Sequence, residues 1–368
     1  MNTDEELMAE CIKLAMKGKG CVSPNPLVGS IIFKDGKIIG KGYHKKFGLA
    51  HAEVNSISDA LRNGYDVSKS TLYVNLEPCS HKGKTLPCTQ LIIDKKIGKV
   101  IIGMKDPFEK VNGKGISKLR AAGIEVRINI LKKECEELNK FFIKYVTRKL
   151  PYVSLKIAQS LDGKIALNNF NSKWITDSQS RKYVHQLRSE YDAVLIGKNT
   201  AKYDDPSLTV RDVKGKDPYR FVIDNNSSLL RKLKLFTDPN KDKTYVIKSS
   251  SSEQSFRNEI IVDSNGSMIK IPDILKELYK MNIGSVIVEG GAKLYSQFAE
   301  TNLFDEIYLF IAPKIIGQGI SSFGDYCIQD LNRNADLKIN FTKQFEQDLL
   351  INYKNVYRNN SGYGNNSK

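Results

Sequence analysis

The 368-residue chain is too long for one hydrophobic core of ordinary size and fits two domains. Its hydrophobic share of 40% and aromatic share of 9% are those of a globular protein, and no run of about 18 apolar residues offers a membrane-spanning helix. The formal net charge of +16 can mark a nucleic-acid binder, but the lysines are spread without a long basic run or Arg-rich tract, so the charge reads as solvated faces and suits small anionic substrates.

The opening MNTDEELMAE is acidic and polar, unlike a secretory signal or a basic transit peptide, and six cysteines in so long a chain make no disulfide framework. Reduced cytoplasmic thiols, some of them metal ligands, are expected, with no membrane attachment. Thr3-Asp4-Glu5-Glu6 is a capping-box pattern ahead of the apolar-periodic LMAECIKLAM and predicts a first helix. VGSIIFKDGKIIGKGYH holds two β-rich runs around Asp35-Gly36 and predicts a hairpin. A helix from about His51 to Leu61 follows, then a strand, STLYVNL, and a loop carrying Cys79 and Cys88. KVIIGM and GISKLRAAGIEVRI complete an alternating α/β unit, and KKECEELNKFFIKYVTRKL predicts one further helix ended by Pro151.

From Pro151 a second α/β pattern begins, with strand candidates PYVSLKIA, DAVLIG, RFVID, KTYVIK, GSVIVEGG and EIYLFIAPKII. In KIAQSLDGKIAL the Asp162-Gly163 turn between two β-rich runs predicts a second hairpin. The tail RNNSGYGNNSK is polar and rich in Gly and Asn, and disorder is expected there. No repeat of about 20–50 residues is present. The expected domains are 1–147 and 148–358, with 359–368 as the tail.

The chemistry begins at LAHAEVNSI, where His51, one of four histidines, stands two residues before Glu53. Beside it, NLEPCSHKGKTLPCTQ supplies Cys79 after Pro78 and Cys88 after Pro87. One imidazole and two thiolates form a natural three-ligand set for zinc, and a catalytic zinc keeps its fourth position for a water whose pKa it lowers to about 7. Glu53 would then carry protons rather than bind metal. A structural zinc would want a fourth ligand, which His81 can supply; a helix-capping His51 above two core thiols is a further alternative. The pattern is the zinc-deaminase signature H-x-E…P-C-x-x-C, except that eight residues separate the two cysteines. In the second half, SVIVEGGAKLYSQF places Gly290-Gly291 between a strand and a helix. Such a turn admits a pyrophosphate at the helix N-terminus, although close helix–strand packing explains it as well and no G-x-G-x-x-G is present. Trp174 alone reads equally as core packing.

PNPLVGSIIFKDGKIIGKGYHKKFGLAHAEVNSI together with LEPCSHKGKTLPC resembles the deaminase domain of the bifunctional riboflavin-biosynthesis deaminase/reductase family, in which the second cysteine follows after this longer loop. KIAQSLDGKIA, SKWITD, HQLRSEYDAVLIGKNTAKYDDPSLTVR and VIVEGGAKL resemble the reductase domain of the same family, in that order. The resemblance implies a cytidine-deaminase-like three-layer α/β/α domain followed by a dihydrofolate-reductase-like α/β domain. It implies zinc on His51, Cys79 and Cys88, with Glu53 as the catalytic proton donor and acceptor, and Asn25, His44, His81 and Lys84 holding substrate. For the second domain it implies NADPH at Ala158, Trp174, Thr200, Asp204 and Asn225, the last standing where the family often has serine. Further NADPH contacts are implied at Gly291, Ala292, Lys293, Leu294, Tyr295, Ser296 and Gln297, with Ser172, Arg188, Leu208, Arg211 and Glu289 on substrate.

Arg188 and Arg211 suit a phosphate, and Glu289 suits ribose hydroxyls or a ring N–H. No acid for the reduction is named, because NADPH carries the hard step. The implied activity is hydrolytic deamination of a phosphoribosylamino-diaminopyrimidinone, then NADPH-dependent reduction of its ribosyl group to ribityl, by a homo-oligomer, dimer or tetramer, that binds neither nucleic acid nor membrane. A nucleic-acid-editing zinc deaminase and a non-catalytic, zinc-stabilised assembly protein are the rival readings.

Overall fold

The first helix, α1 (Asp4–Met16), opens on the capping box its spacing predicts: Glu6 N–H donates to Thr3 Oγ1 at 3.2 Å and Thr3 N–H donates to Glu6 Oε2 at 2.9 Å. It belongs to a computed structural model that describes residues 3–80, 86–249, 256–262, 269–324, 326–330 and 335–356. The chain divides into two units between Leu150 and Pro151.

In the first unit α1 is followed by β1 (Gly29–Lys34), β2 (Lys37–Tyr43), α2 (Ala52–Arg62), β3 (Thr71–Leu76), α3 (Cys88–Asp94), β4 (Lys99–Met104), α4 (Lys114–Ala121), β5 (Glu125–Ile128), α5 (Lys132–Leu138) and α6 (Lys140–Arg148). The strands form one sheet in the order β2-β1-β3-β4-β5, with β2, β1 and β3 antiparallel and β3, β4 and β5 parallel. The β1–β2 hairpin turns on Asp35 and Gly36, both at positive φ, as a primed two-residue turn requires. Period-two alternation separates the two faces of the sheet. Ile31, Tyr73 and Ile101 pack under α1 and α5, while Ile32, Leu72, Val74, Val100 and Ile102 pack under α2, α3 and α4. The result is three layers, α/β/α.

Helix α2 lies unusually close to its sheet, and two strand glycines allow it. A Cβ at Gly42 would stand 2.3 Å from the Ser56 nitrogen and 2.5 Å from the Ala52 carbonyl oxygen, both backbone atoms of α2. Gly42→Ala is therefore expected to push α2 off the sheet and destabilise the first unit by about 1–3 kcal/mol. Unfolding of the full chain would show it as a lower midpoint for the first unit with the second unchanged.

The single helix expected over 132–150 is two. Asn139 breaks it at φ −103°, ψ 18°, and its buried amide is spent on the loop before β1, accepting from Leu27 N–H at 2.8 Å and donating to the Leu27 carbonyl at 3.1 Å. Asn75 on β3 holds the same loop, accepting from Gly29 N–H and donating to the Leu27 carbonyl. The break exchanges helical continuity for two tertiary hydrogen bonds.

The second unit runs β6 (Tyr152–Ser160), β7 (Lys164–Leu167), α7 (Ser178–Glu190), β8 (Ala193–Gly197), α8 (Lys198–Asp204), β9 (Tyr219–Ile223), α9 (Lys234–Thr237), β10 (Thr244–Ser249), β11 (Glu259–Val262), α10 (Ile271–Lys280), β12 (Ser285–Val288), α11 (Ala292–Thr301), β13 (Glu306–Ala312), β14 (Gly319–Ser321), β15 (Leu337–Phe345) and β16 (Asp348–Asn355). Nine strands form one sheet in the order β11-β10-β9-β8-β12-β6-β13-β16-β15, parallel from β11 to β13 and antiparallel beyond. The carboxyl ends of β6, β8, β9 and β12 lie side by side, the place where open α/β sheets bind ligands.

The hairpin expected at Asp162-Gly163 is not one. The turn forms, with Gly163 N–H on the Ser160 carbonyl, but β7 leaves the large sheet and pairs with β14 instead. The β15–β16 hairpin escaped sequence reading although LKINFTKQF and DLLINYKN alternate at the strand period. The expected disordered tail 359–368 lies outside the described residues. Among the described residues no helix is long and apolar enough to cross a membrane.

Candidate active sites

Three segments of the first unit bring His51, Cys79 and Cys88 together. His51 is the N-cap residue of α2, but its side chain makes no capping bond. Its Nδ1 instead stands 3.7 Å from Cys79 Sγ and 3.3 Å from Cys88 Sγ, and all three ligand atoms lie within 4.8 Å of one another. Ligands on a tetrahedral zinc with bonds of about 2.0–2.3 Å lie roughly 3.5–3.8 Å apart, so the set fits that ion and fits it through Nδ1. The capping alternative fails on this geometry. The fourth ligand of a structural zinc, His81, lies outside the described residues, as does Lys84.

Electrostatics reinforce the assignment. Hydrogen bonds from Cys88 and from His51 bring the Cys79 thiol down to about 4, so that it stands as a thiolate. Its bond to Cys79 in turn pushes the His51 imidazole up to about 9. The bond to Cys79, with burial, pushes Cys88 up. Protons shared among two sulfurs and an imidazole are what a divalent cation replaces on binding. The backbone N–H of Cys88, first residue of α3, also donates to Cys79 Sγ at 3.4 Å. Glu53, one residue into α2, is buried beside this set, and burial raises its carboxyl above the usual range. A carboxyl held so close to the ligand set is placed to exchange a proton with a water bound there.

Asn25 and His44 lie next to the ligand set. Asn25 Nδ2 is 3.3 Å from His44 Nε2, His44 Nδ1 is 3.1 Å from the Ala50 carbonyl, and the His44 and His51 rings meet edge to face at 5.6 Å. Burial lowers the His44 imidazole, keeping it neutral. Sequence reading missed Glu77, which is buried and accepts from four backbone N–H groups: Asp106 and Gly113 on Oε2, Gly115 and Ile116 on Oε1. It satisfies the open N-terminus of α4 while standing two residues before Cys79, so it anchors the ligand loop. The LEP triplet marked it in sequence, but an acidic residue before Pro-Cys has no signature of its own.

In the second unit a cleft of about 1280 Å³ opens over the strand ends. Ala158, Ser172, Trp174, Arg188, Thr200, Asp204, Leu208, Arg211, Asn225, Glu289, Gly291, Ala292, Lys293, Leu294, Tyr295 and Gln297 all line it. Ser296 does not; its side chain is buried within α11. Trp174 is 63% exposed, which excludes the core-packing alternative. The two readings of Gly290-Gly291 divide between the residues. A Cβ at Gly290 would press on Gly197 and Ile196 of β8, whereas Gly291, at φ 35°, opens α11 toward the cleft. Among the described residues Asn225 Oδ1, buried at the cleft wall, has no hydrogen-bond partner, an acceptor that a bound nucleotide can satisfy. These features fit NADPH.

Arg188 is not free for a phosphate. Its Nε and Nη2 donate to Glu289 Oε1 and Oε2 at 2.6 and 2.7 Å, and Nη1 reaches the Thr209 carbonyl at 3.3 Å. The fork and the carboxylate occupy each other, which leaves Arg211 as the arginine of this pair turned to solvent. Two further residues escaped sequence reading. Lys156 lines the cleft 3.9 Å from Glu289, and burial lowers its ammonium. His185 accepts the Arg211 N–H on Nδ1 at 3.3 Å and sets Nε2 3.4 Å from Asp212, so it shapes the loop that carries Arg211.

Comparison with known proteins agrees on both units. Residues 1–104 match the cytidine and deoxycytidylate deaminase zinc-binding region, and residues 151–351 match the RibD C-terminal domain. A riboflavin biosynthesis protein RibD from Aquifex aeolicus is 40% identical over 358 residues, covering 95% of this chain and 98% of that one. Its Escherichia coli counterpart is 36% identical over 329 residues, covering 85% and 89%. A crystal structure from Thermotoga maritima, described as a diaminohydroxyphosphoribosylaminopyrimidine deaminase/5-amino-6-(5-phosphoribosylamino)uracil reductase, superposes with a TM-score of 0.87 at 39% identity, covering 96% of this chain and 99% of that one. Acinetobacter baumannii RibD gives 0.86 at 32%, with the same coverage.

Both fold expectations therefore hold, the cytidine-deaminase-like first unit and the dihydrofolate-reductase-like second. A reductase in second place leaves the nucleic-acid-editing alternative unfavoured. Matched along nearly its whole length, with a zinc-binding deaminase unit ahead of an NADPH-using reductase unit, the chain belongs to the riboflavin biosynthesis protein RibD family of bifunctional deaminase/reductases.

Proposed function

We propose that the first unit deaminates a phosphoribosylamino-diaminopyrimidinone and that the second reduces the ribosyl group of the product to ribityl. The observation that carries this reading is the convergence of His51, Cys79 and Cys88 beside the buried Glu53. Zinc held by those three supplies Lewis-acid activation of a water. Glu53 takes the proton from the attacking water and returns it to the leaving amine, and its raised carboxyl matches both tasks. Asn25 and His44 hold the pyrimidine against the ligand set. Their neutral side chains offer hydrogen bonds without adding charge.

In the second unit NADPH supplies the hydride. We assign its pyrophosphate to the N-terminus of α11 at Gly291, Ala292 and Lys293, and its nucleoside contacts to Thr200 and Asn225. Arg211 takes the substrate phosphate, and the Arg188–Glu289 pair holds the sugar from below. Lys156, whose ammonium gives up its proton more readily for being buried, is placed to protonate the ring oxygen as the ribose opens. The ligand thiolates need a reducing compartment, which supports a cytoplasmic location. The exposed Leu337 and Ile339 on β15, at the open edge of the nine-stranded sheet, support a homo-oligomer.

The test is a paired assay on the full chain, following ammonia release and NADPH oxidation separately. Ammonia first, with NADPH loss dependent on it, is the expected order; zinc-loaded protein that releases no ammonia from this substrate overturns the reading. Stripping zinc with a chelator is expected to abolish ammonia release while NADPH oxidation on supplied deaminated product continues. Loss of both together would mean that the metal holds the whole chain folded.

A further inference from the structure

Phe170 and Tyr203 stack face to face at the reductase cleft, ring centroids 4.2 Å apart and planes 1° from parallel. Neither is a core residue: they are 37% and 46% exposed. A stacked aromatic pair left at a cleft wall contributes little to the interior, so its worth lies in what it joins. It joins two segments. Phe170 leads into the strap 171–175, which presents Ser172 and Trp174, and Tyr203 sits on α8 next to Asp204.

The same junction carries Ser172 Oγ donating to Asp204 Oδ1 at 2.9 Å and Lys173 Nζ donating to the Asp204 carbonyl at 2.8 Å. At its far end Lys314 Nζ donates to the Trp174 carbonyl at 2.7 Å, and the Arg181 guanidinium lies over the Trp174 ring at 4.6 Å. Part-exposed polar bonds of this kind exchange readily with water. The stacked rings give the junction an apolar contact that water does not replace.

We propose that Phe170 and Tyr203 are positioning residues of the reductase half: their stack fastens the strap to α8 and sets where Trp174 and Asp204 stand in the cleft. The proposal rests on the reading that those two residues meet the cofactor. It assigns the pair no contact with the reacting atoms.

Trp174 is the only tryptophan of the chain, so its emission reports the strap directly. In ligand-free full-length protein, Phe170→Ala and Tyr203→Ala are each expected to shift that emission and lower its anisotropy. The KM for NADPH should rise about threefold to tenfold with kcat within about twofold, the range one aromatic pair supports, and Tyr203→Phe should restore both readouts. A cooperative unfolding transition of the second unit, retained in each variant, checks that it is folded. Emission and anisotropy unchanged in both alanine variants overturn the proposal, and so does altered emission with an unchanged KM. In the unaltered chain NADPH should quench Trp174. Absence of quenching overturns the cofactor reading, while the ligand-free emission still decides the stack's own role.

Discussion

Glu53→Gln is expected to cut ammonia release by about 10²–10⁴-fold, the span usual for a positioned general acid–base group. The amide keeps the shape and hydrogen-bonding reach of the carboxyl but cannot carry a proton between the attacking water and the leaving amine. Zinc content should stay at the unaltered level, because the ion's fit rests on His51, Cys79 and Cys88 and not on Glu53. NADPH oxidation on supplied deaminated product should also be unchanged. A variant that keeps its zinc and its turnover would remove Glu53 from the chemistry and favour a structural metal. A variant that loses both would place Glu53 among the groups that hold the ligand loop.

Breaking the Arg188–Glu289 pair should have the largest effect on stability. Both side chains are largely buried, at 13% and 5% exposure, and they meet fork to fork. Glu289→Ala leaves both Arg188 and the neighbouring Lys156 without their counter-charge and is expected to cost the second unit about 3–5 kcal/mol and its reductase activity. Arg188→Ala leaves Glu289 with Lys156 alone, 3.9 Å away, and is expected to cost less stability and the same activity. Replacing both with methionine should recover much of the stability and none of the activity, which separates the pair's structural share from its functional one. A loss below about 1 kcal/mol in both single variants would mean that water reaches the pair freely.

The pH dependence of this pair follows with a definite sign. Burial alone would raise the Glu289 carboxyl, but the Arg188 guanidinium more than offsets it and holds the group below the usual range. A depressed carboxylate contributes stability above its unfolded value of about 4.3 and loses it as pH falls through the lower folded value. Acid should therefore destabilise the second unit below about pH 4, and the doubly substituted variant should lose that component. Unfolding midpoints measured along an acid series check it.

His51, Glu53, Cys79 and Cys88 are legible in the amino-acid order alone because zinc chemistry restricts residue type so narrowly that the pattern survives an unusual spacing. The capping box and the Asp35-Gly36 hairpin are legible because each is closed by residues within a few positions of one another. Arg188 reads as a phosphate ligand in the sequence because an isolated arginine shows its charge but not its neighbour, and Glu289 stands 101 positions away. Asn139 misleads for the same reason, since a helical pattern does not reveal that its amide is claimed by Leu27, 112 residues earlier. In β7 the expected turn is right and the expected partner wrong: strand pairing is decided by which edge is free, and the edge belongs to β14.

The sequence by itself determined two α/β halves and the His51, Cys79 and Cys88 set with Glu53 beside it, and the family resemblance marked most of the residues that wall the reductase cleft. The halves and the ligand set follow from residue chemistry and short-range periodicity, which act locally. Only the tertiary structure decided that Glu77 anchors the cysteine loop, that Arg188 is spent on Glu289, that Trp174 is exposed, and that Lys156 stands beside Glu289 in the cleft. Each of those depends on burial and on partners distant in sequence. Desolvation and long-range pairing set what a charged side chain can do, and neither exists until the chain has folded.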